Sequence, residues 1–433
     1  MKFLGATFFE RGKQGASIGH NMVENPSKSR LMEEDCTQGV GYKRLVGELW
    51  AGQPRQMHSL HYVVSYRASY KPELPDYCIR QYSRKGQVVL DPFCGRGTTA
   101  LQAALLGRVS LSCDVNPLAI RMTAAKLSPV GLDEIVLRLN EVDFRRPVDL
   151  EGYPEKFSPF YHPDTYRELV NLKRFLRKHS DAVSNFVELV AISRLHGHSS
   201  GFFSAYTFPQ ISIPSAHQLL INQKRGQMPE YRAVAPRIIR KASQALRDGF
   251  SSDFFAVSSA SICEVADARK LEKIGDNSVD LIVTSPPFLD KVDYLADNWL
   301  EFWFCDINPN EFGENLVASS SLKHCKAFVR EFLLEFLRVL KPGAHAVIEG
   351  GDVVVKGEVV YLDDVIAECV SGLAFNDKIF AVKEVLVNKQ QFTKLANCFN
   401  VDNNKKGSNT NRLVVLQCLK SVSGCRVVPT MLK

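Results

Sequence analysis

The stretch VVLDPFCGRGTTA, residues 88–100, is an apolar strand that runs into an acid and then two glycines. Its end, G-R-G-T-T-A, matches the dinucleotide fingerprint letter for letter. The neighbouring sequence fixes its context. QVVLD (87–91) predicts a short buried strand, and TTALQAALLG (98–107) a helix closed by Gly107. RVSLSCDV (108–115) predicts a second strand. NPLAIRMTAAKL (116–127) predicts a second helix, with Asn116 as its N-cap and Pro117 in its first position.

Charge decides what this loop holds. In a sheet of alternating strands and helices the ligand lies at the carboxyl ends of the strands, where Asp91 sits. A carboxylate there repels a pyrophosphate, and no lysine follows the glycines as a phosphate loop requires. The same carboxylate welcomes a cation. S-adenosylmethionine carries an ammonium group and a sulfonium and no phosphate. Gly95 and Gly97 are expected to let the backbone approach such a ligand, and Thr98 to cap the following helix. Asp114, at the end of the second strand, is spaced to accept hydrogen bonds from a ribose diol.

Farther along, the pattern changes and then resumes. Residues 130–258 read as several amphipathic helices, clearest in HPDTYRELVNLKRFLRKH and APRIIRKASQALRDGF, around an irregular aromatic stretch, GFFSAYTFPQISIP. Then SICEVADA and VDLIVTSPPF are strands, KAFVREFLLEFLRVLKPG a helix, AHAVIEGG a strand, LDDVIAECVSGL a helix, and IFAVKEVLV and RLVVLQCL strands. Alternation of this kind predicts an α/β, doubly wound, mostly parallel sheet of seven strands carrying a long helical insert.

Composition sets further bounds. The chain has 433 residues, is 45% hydrophobic and carries a net charge of +7. It contains no apolar run of about 18 residues and no signal-peptide pattern at its start, so no membrane association is expected. Its eleven cysteines are scattered without a C-x-x-C pair, several inside apolar runs, as in a reduced cytoplasmic protein. Between Leu172 and Arg247 twelve Lys and Arg face three acids, an excess of +9. That favours a polyanion-binding region over a merely solvated helical face.

The motifs then converge. DPFCGRGTT followed by CDVNPLA resembles the first two motifs of the amino-group DNA methyltransferases, which act on N4 of cytosine or N6 of adenine. VADAR (265–269), SVDLIVTSPPF (278–288), LKPGA (340–344) and HYVVSYRASYKPEL (61–74) are similar to further motifs of that family. The resemblance implies a class I, Rossmann-like fold with S-adenosylmethionine as cofactor and no metal. It implies cofactor contacts from Asp91, Phe93, Cys94, Gly95, Gly97, Thr98, Asp114, Asn116, Asp267 and Ala268. It also implies a catalytic tetrad of Ser285, Pro286, Pro287 and Phe288.

The tetrad suits the chemistry. An exocyclic amine of a base is a poor nucleophile because its lone pair is delocalised into the ring. The hydroxyl of Ser285 and the carbonyl of Pro286 are two neutral acceptors for its protons, and the prolines hold them aimed. Phe288 offers a face on which a flipped base can stack. Asp293 and Tyr294 are candidates to line the base pocket. Within the family that the chain resembles, serine in the first tetrad position usually accompanies cytosine N4 and aspartate or asparagine adenine N6, so the resemblance implies cytosine N4. The alternatives are an RNA or tRNA amino-methyltransferase and a silent nucleic-acid-binding protein on the same fold.

The expected organisation is an N-terminal extension (1–57), a catalytic domain (58–129 and 259–433) and the insert (130–258) as candidate target-recognition region. The expected partner is double-stranded DNA, and the resemblance leaves room for a companion restriction endonuclease. Lys224 and Arg225, in the Gly/Pro-marked loop expected at NQKRGQMP, and Lys405 and Lys406, in the polar loop expected at NVDNNKKGSNTNR, are candidate DNA contacts. GHSSG (197–201) matches a hydrolase nucleophile elbow, but the helical sequence before it and the irregular sequence after it do not supply the elbow's strand and helix. His196 and His198 lack a third metal ligand at sensible spacing.

Overall fold

The computed structural model describes residues 32–33, 42–47, 57–287, 293–313, 321–355, 357–389 and 410–421. Strands β1 (Met32–Glu33) and β2 (Lys43–Gly47) precede helix α1 (Glu73–Tyr82). The first alternation follows as β3 (Val88–Asp91), α2 (Thr98–Leu105), β4 (Val109–Asp114) and α3 (Pro117–Leu127). Six helices then occupy the insert: α4 (Leu132–Asn140), α5 (Pro163–Leu176), α6 (Ala182–Ile192), α7 (Ser215–Arg225), α8 (Val234–Ala245) and α9 (Ser252–Ser258). The chain returns through β5 (Ile262–Val265), β6 (Val279–Thr284), α10 (Trp299–Cys305) and α11 (Leu322–Val339). It continues with β7 (Leu340–Gly351), the hairpin β8 (Val353–Val355) and β9 (Glu358–Val360), and α12 (Leu362–Val370). Strands β10 (Ala374–Phe375), β11 (Lys378–Lys389) and β12 (Thr410–Lys420) complete the set.

These strands pair in the order β1-β2-β11-β12-β7-β6-β3-β4-β5, with β10 on β11. From β5 to β7 all pairs are parallel, whereas β12 runs antiparallel between β7 and β11. The seven strands expected from the sequence are therefore contiguous, from β11 to β5. Among the described residues, three short strands (β1, β2 and β10) bring the sheet to ten. Of these, β2 lies in the segment expected to be an extension, and it pairs in parallel with β11. From β3 the chain moves outward through β4 and β5, then restarts on the other side with β6. That reversal opens a crevice at the carboxyl ends of β3 and β6.

Alternate residues of the central strands face opposite layers. Val89, Leu281, Val283, Val347, Leu413 and Val415 pack under α1 with Leu74, Cys78 and Ile79. Leu90, Ile282, Ile348 and Val414 face Phe332, Phe336, Leu337 and Ile366 of α11 and α12. The insert shares its core with α2 and α3. Phe160, Phe186 and Phe254 belong to one apolar cluster with Ala100, Leu101, Leu118 and Met122. In the aromatic stretch Phe202, Phe203 and Ala205 are buried, while Phe208 remains 45% exposed.

Candidate active site

The site grows from the end of β3. Asp91 is almost fully buried and accepts hydrogen bonds from Thr284 Oγ1 (2.6 Å), Tyr70 Oη (3.0 Å) and the Phe93 amide (3.2 Å). Burial pushes its carboxyl up to about 6, outweighing these bonds, which act to lower it. Past Asp91 the backbone turns at Gly95, whose φ of +48° is in the left-handed region. The turn aims the Gly95 amide at Asp114 Oδ2 (2.9 Å), and the Asn116 amide donates to Asp114 Oδ1 (2.9 Å). Burial lifts Asp114 to about 6 as well. Asn116 caps α3 by accepting from the Leu118 amide (3.0 Å), while its Nδ2 donates to Tyr66 Oη (3.1 Å). The first loop is thus stitched to the second.

Two expectations about this loop are corrected. Thr98 is the first residue of α2, not its cap; the capping position is Gly97, with no side-chain bond, and Thr98 Oγ1 accepts from Arg96 Nε. Gly97 lies outside the cavity lining. A Cβ there would stand 2.6 Å from Thr123 Oγ1, so its missing side chain serves close packing of α2 on α3.

A cavity of about 750 Å³ opens over these strand ends. Phe93, Cys94, Gly95, Thr98, Asp114, Asn116, Asp267 and Ala268 line it, together with Ser285, Pro286, Pro287, Asp293 and Tyr294. Residues 66–70 complete the wall, with the Tyr66 ring stacked on Tyr294 at 5.8 Å and 24°. Asp91 lies just behind the lining and is linked to the cavity through Tyr70, a lining residue. Burial favours the neutral acid at Asp267, but Arg269 (2.6 Å) overcomes it and holds that carboxyl below the usual range.

Several lining residues were not anticipated individually. Tyr66 and Tyr70 fall within HYVVSYRASYKPEL, whose resemblance singles out neither of them alone. Glu349 has a clearer signal: it is an acid at the carboxyl end of an apolar parallel strand, the place where ligands sit. It is buried and hydrogen-bonded to Ser285.

Other candidates lie elsewhere. Lys224 and Arg225 occupy the last turn of α7, ahead of its Gly226 cap, and not a loop. The Arg225 guanidinium sits 3.8 Å above the Tyr206 ring. Part of the insert's basic excess is neutralised or tied internally: Lys173 and Arg177 pair with Asp306, and Lys241 donates to the Tyr62 carbonyl. His196 Nε2 meets Glu301 at 2.7 Å, and Ser212 Oγ donates to the same carboxylate, which gives this histidine a structural place in the core. Phe288, Lys405 and Lys406 lie outside the described residues. Among the described residues no cluster of three or more His, Cys, Asp or Glu is arranged to hold a metal. No helix among them is long and apolar enough to cross a membrane.

With this geometry in hand, a family description for DNA methylases of the N6/N4 class matches residues 17–126, the block containing the Asp91 loop and Asp114. Over that block the chain is similar to the amino-group DNA methyltransferases. The Type II methyltransferase M.BsoBI of Geobacillus stearothermophilus is 21% identical over 315 residues, covering 65% of this chain and 61% of its own. M.MjaII of Methanocaldococcus jannaschii is 26% identical over 26% of this chain and 22% of its own length. M.MthZI of Methanothermobacter thermautotrophicus is 30% identical over 24% of this chain and 34% of its own length. The chain thus spans about three fifths of the first of these relatives and less of the others.

S-adenosylmethionine fits the residues present. Asp114 would offer a carboxylate to a ribose diol, Asp267 and Ala268 would face an adenine, and Phe93 and Phe328 line the cavity with apolar rings. The buried charge of Asp91 beneath the loop opposes the ligand's positive charge. The cavity volume suits a ligand of that size.

Proposed function

We propose that this methyltransferase transfers a methyl group from S-adenosylmethionine to the N4 amine of cytosine in double-stranded DNA. The observation that carries this reading is that Ser285 and Pro286 line the same cavity as Asp114. Acceptors for an amine and a cradle for a nucleoside therefore share one space. The bound cofactor supplies an electrophilic methyl. The chain's contribution is alignment and acceptance of the amine's protons by the Ser285 hydroxyl and the Pro286 carbonyl. A cavity at the sheet edge requires the target base to leave its stack, and Tyr294 with its partner Tyr66 offers a ring surface to receive it. The cytosine reading rests on the correlation, within the family the chain resembles, of serine in the first tetrad position with cytosine N4. The insert, with α7 at its surface, is the segment proposed to read the surrounding sequence.

The test is direct. Unmethylated duplex DNA is incubated with the purified chain and labelled S-adenosylmethionine, then digested to nucleosides for mass spectrometry. N4-methylcytosine is expected. N6-methyladenine as sole product overturns the cytosine assignment but keeps the acceptor mechanism, and an RNA-only product overturns the DNA substrate.

A further inference from the structure

Resting on the reading of duplex DNA as substrate, we infer that loop 197–206 and the cations around it, Arg194, Arg232, Arg237 and Lys241, clamp backbone phosphates of the duplex. The loop begins with G-H-S-S-G (197–201), which follows helix α6 and not the strand that a nucleophile elbow requires. Its ends are joined by the Thr207 amide, which donates to the Gly197 carbonyl (2.9 Å). The Phe202 ring packs so closely on Gly197 that a Cβ there would stand 2.4 Å from it. Packing therefore explains the glycine. His198, Ser199 and Ser200 remain exposed.

Three arginines hold this loop through neutral groups. Arg232 Nη1 donates to the carbonyls of Ser199 (3.3 Å), Phe202 (3.1 Å) and Ser204. Arg237 Nε donates to the Ser200 carbonyl (3.0 Å) and its Nη1 to the Ala233 carbonyl (2.9 Å). The Arg194 guanidinium lies 3.9 Å above the Phe202 ring, and its Nε donates to the Ser193 carbonyl (2.8 Å). Lys241, one turn beyond Arg237 on α8, donates to the Tyr62 carbonyl (2.9 Å) and lies within electrostatic reach of Arg194.

Carbonyls satisfy hydrogen bonds but cancel no charge. Among the described residues no acid acts on Arg194 or Lys241: burial lowers Arg194 to about 10, and burial followed by the Arg194 charge lowers Lys241 to about 8. Glu230 acts on Arg232 and Glu168 on Arg237, but burial outweighs both, and Arg237 also repels Arg232. Glu168 is already engaged by Tyr231 Oη (2.6 Å) and the Val234 amide (2.7 Å). Elsewhere the insert does pair its cations, as Arg138 with Asp181 and Arg177 with Asp306. Partly buried cations without a counter-charge cost stability, so a fold that gathers four of them is arranged for an anion from outside.

The donors for that anion are in place. A guanidinium carries several N–H groups in one plane, and among the described residues Arg194 uses only its Nε and Arg232 only its Nη1. Their remaining nitrogens are not among the buried atoms left without a partner, so they reach the solvent. Phosphate oxygens accept charge-assisted bonds from such an edge. A chain of phosphates suits the cluster better than a lone one, because the cations continue along the loop: Arg225 stacks on Tyr206 at its far end, with Lys224 beside it in sequence. A row of cations on one loop matches the spaced charges of a nucleic-acid backbone.

The experiment compares wild type, the triple variant Arg194→Gln, Arg237→Gln, Lys241→Gln, and the charge-keeping Arg237→Lys. Glutamine retains an N–H for the carbonyls and removes the charge. Binding of a fluorescent DNA duplex is followed by anisotropy over a range of potassium chloride concentrations, well below the melting temperature of every variant. Cofactor affinity is measured by calorimetry, and melting is measured without DNA. The triple variant should lower the slope of log affinity against log salt by about 2 to 3 and weaken binding on the order of 100-fold at low salt. Its cofactor affinity should stay within about twofold, and it should melt no lower than wild type, because relief of repulsion offsets weaker hydrogen bonds. Arg237→Lys should keep the wild-type slope. A triple variant with the wild-type slope overturns the inference; if it also melts lower, the cations serve only to hold the loop. Inorganic phosphate that stabilises the wild type as strongly as duplex DNA of equal phosphate content would make this a lone-anion site and overturn the DNA clamp. Failure of the wild type to bind and methylate duplex DNA would overturn the proposed function as well, and wild type alone reads that out.

Discussion

Thr284 Oγ1 donates to Asp91 Oδ1 at 2.6 Å, so the carboxyl ends of β6 and β3 are joined by a side-chain bond just beneath the cavity. Backbone pairing between these strands covers only Val89 with Leu281 and Leu90 with Ile282. The threonine therefore extends the pairing into the region where the strands separate. It also links the residue before Ser285 to the acid that begins the cofactor loop.

Thr284→Val keeps the shape and β-branching and removes this bond. A hydrogen bond to a charged group contributes about 1.5–3 kcal/mol, and loss in that range is expected in urea unfolding. Asp91 should titrate still higher, and S-adenosylmethionine affinity should fall several-fold. Unchanged stability and affinity in Thr284→Val would remove this bond from the account of the site.

Acid pH should act oppositely on the free chain and on cofactor binding. Asp91 and Asp114 are both pushed up to about 6, above the ordinary aspartate value of about 3.9. The folded free chain then binds protons that the unfolded chain has released. Their stabilising contribution is complete below about pH 4 and is lost as pH rises through about 6. A positively charged ligand prefers the ionised forms, so its affinity should rise over the same interval and its binding should release protons near pH 6. Calorimetry in two buffers of different ionisation enthalpy measures that release. Asp91→Asn should melt higher than wild type at pH 7.5 without ligand, yet bind S-adenosylmethionine more weakly. A lower melting temperature together with unchanged affinity would contradict both halves.

Much of this site could be read before any coordinates because short-range rules govern it. The strand-to-loop step at Asp91, the Asn116 cap with Pro117 behind it, and the placement of Ser285 after VDLIV all depend on neighbours in sequence. Gly97 was less legible because its reason lies 26 positions away at Thr123, where α2 and α3 meet. Glu349 was missed because its meaning depends on register: nothing local in AHAVIEGG says that its acid will stand beside Ser285. The charge count over the insert misled in part, since composition cannot tell that Asp306, far along the chain, claims Lys173 and Arg177.

Tyr294 supplies a third test. Its ring is stacked on Tyr66, which in turn holds Asn116 through its hydroxyl. Tyr294→Ala should weaken capture of the displaced base, because ring stacking contributes about 1–3 kcal/mol per base, whereas Tyr294→Phe should behave like wild type. A 2-aminopurine at the target position reports displacement by its fluorescence. Equal fluorescence gain in wild type and Tyr294→Ala would assign base capture to other residues.

The last prediction concerns DNA contacts by the insert. Helix α7 buries amides and exposes apolar and basic side chains. Gln218 Nε2 donates to the Tyr206 carbonyl (2.9 Å) and Asn222 Nδ2 to the Pro159 carbonyl (2.7 Å), while Leu219 and Leu220 point to solvent. That arrangement leaves Lys224 and Arg225 exposed at its C-terminus, and stacking on Tyr206 orients the Arg225 guanidinium. Two cations at phosphate positions release about two counterions, so Lys224→Ala with Arg225→Ala should lower the slope of log affinity against log salt by about 2. DNA binding should weaken evenly across sequences, with cofactor affinity unchanged. The competing segment contains Lys405 and Lys406, so Lys405→Ala with Lys406→Ala belongs in the same salt titration. A slope lowered only in that second pair would transfer the phosphate contacts from α7 to the segment before β12.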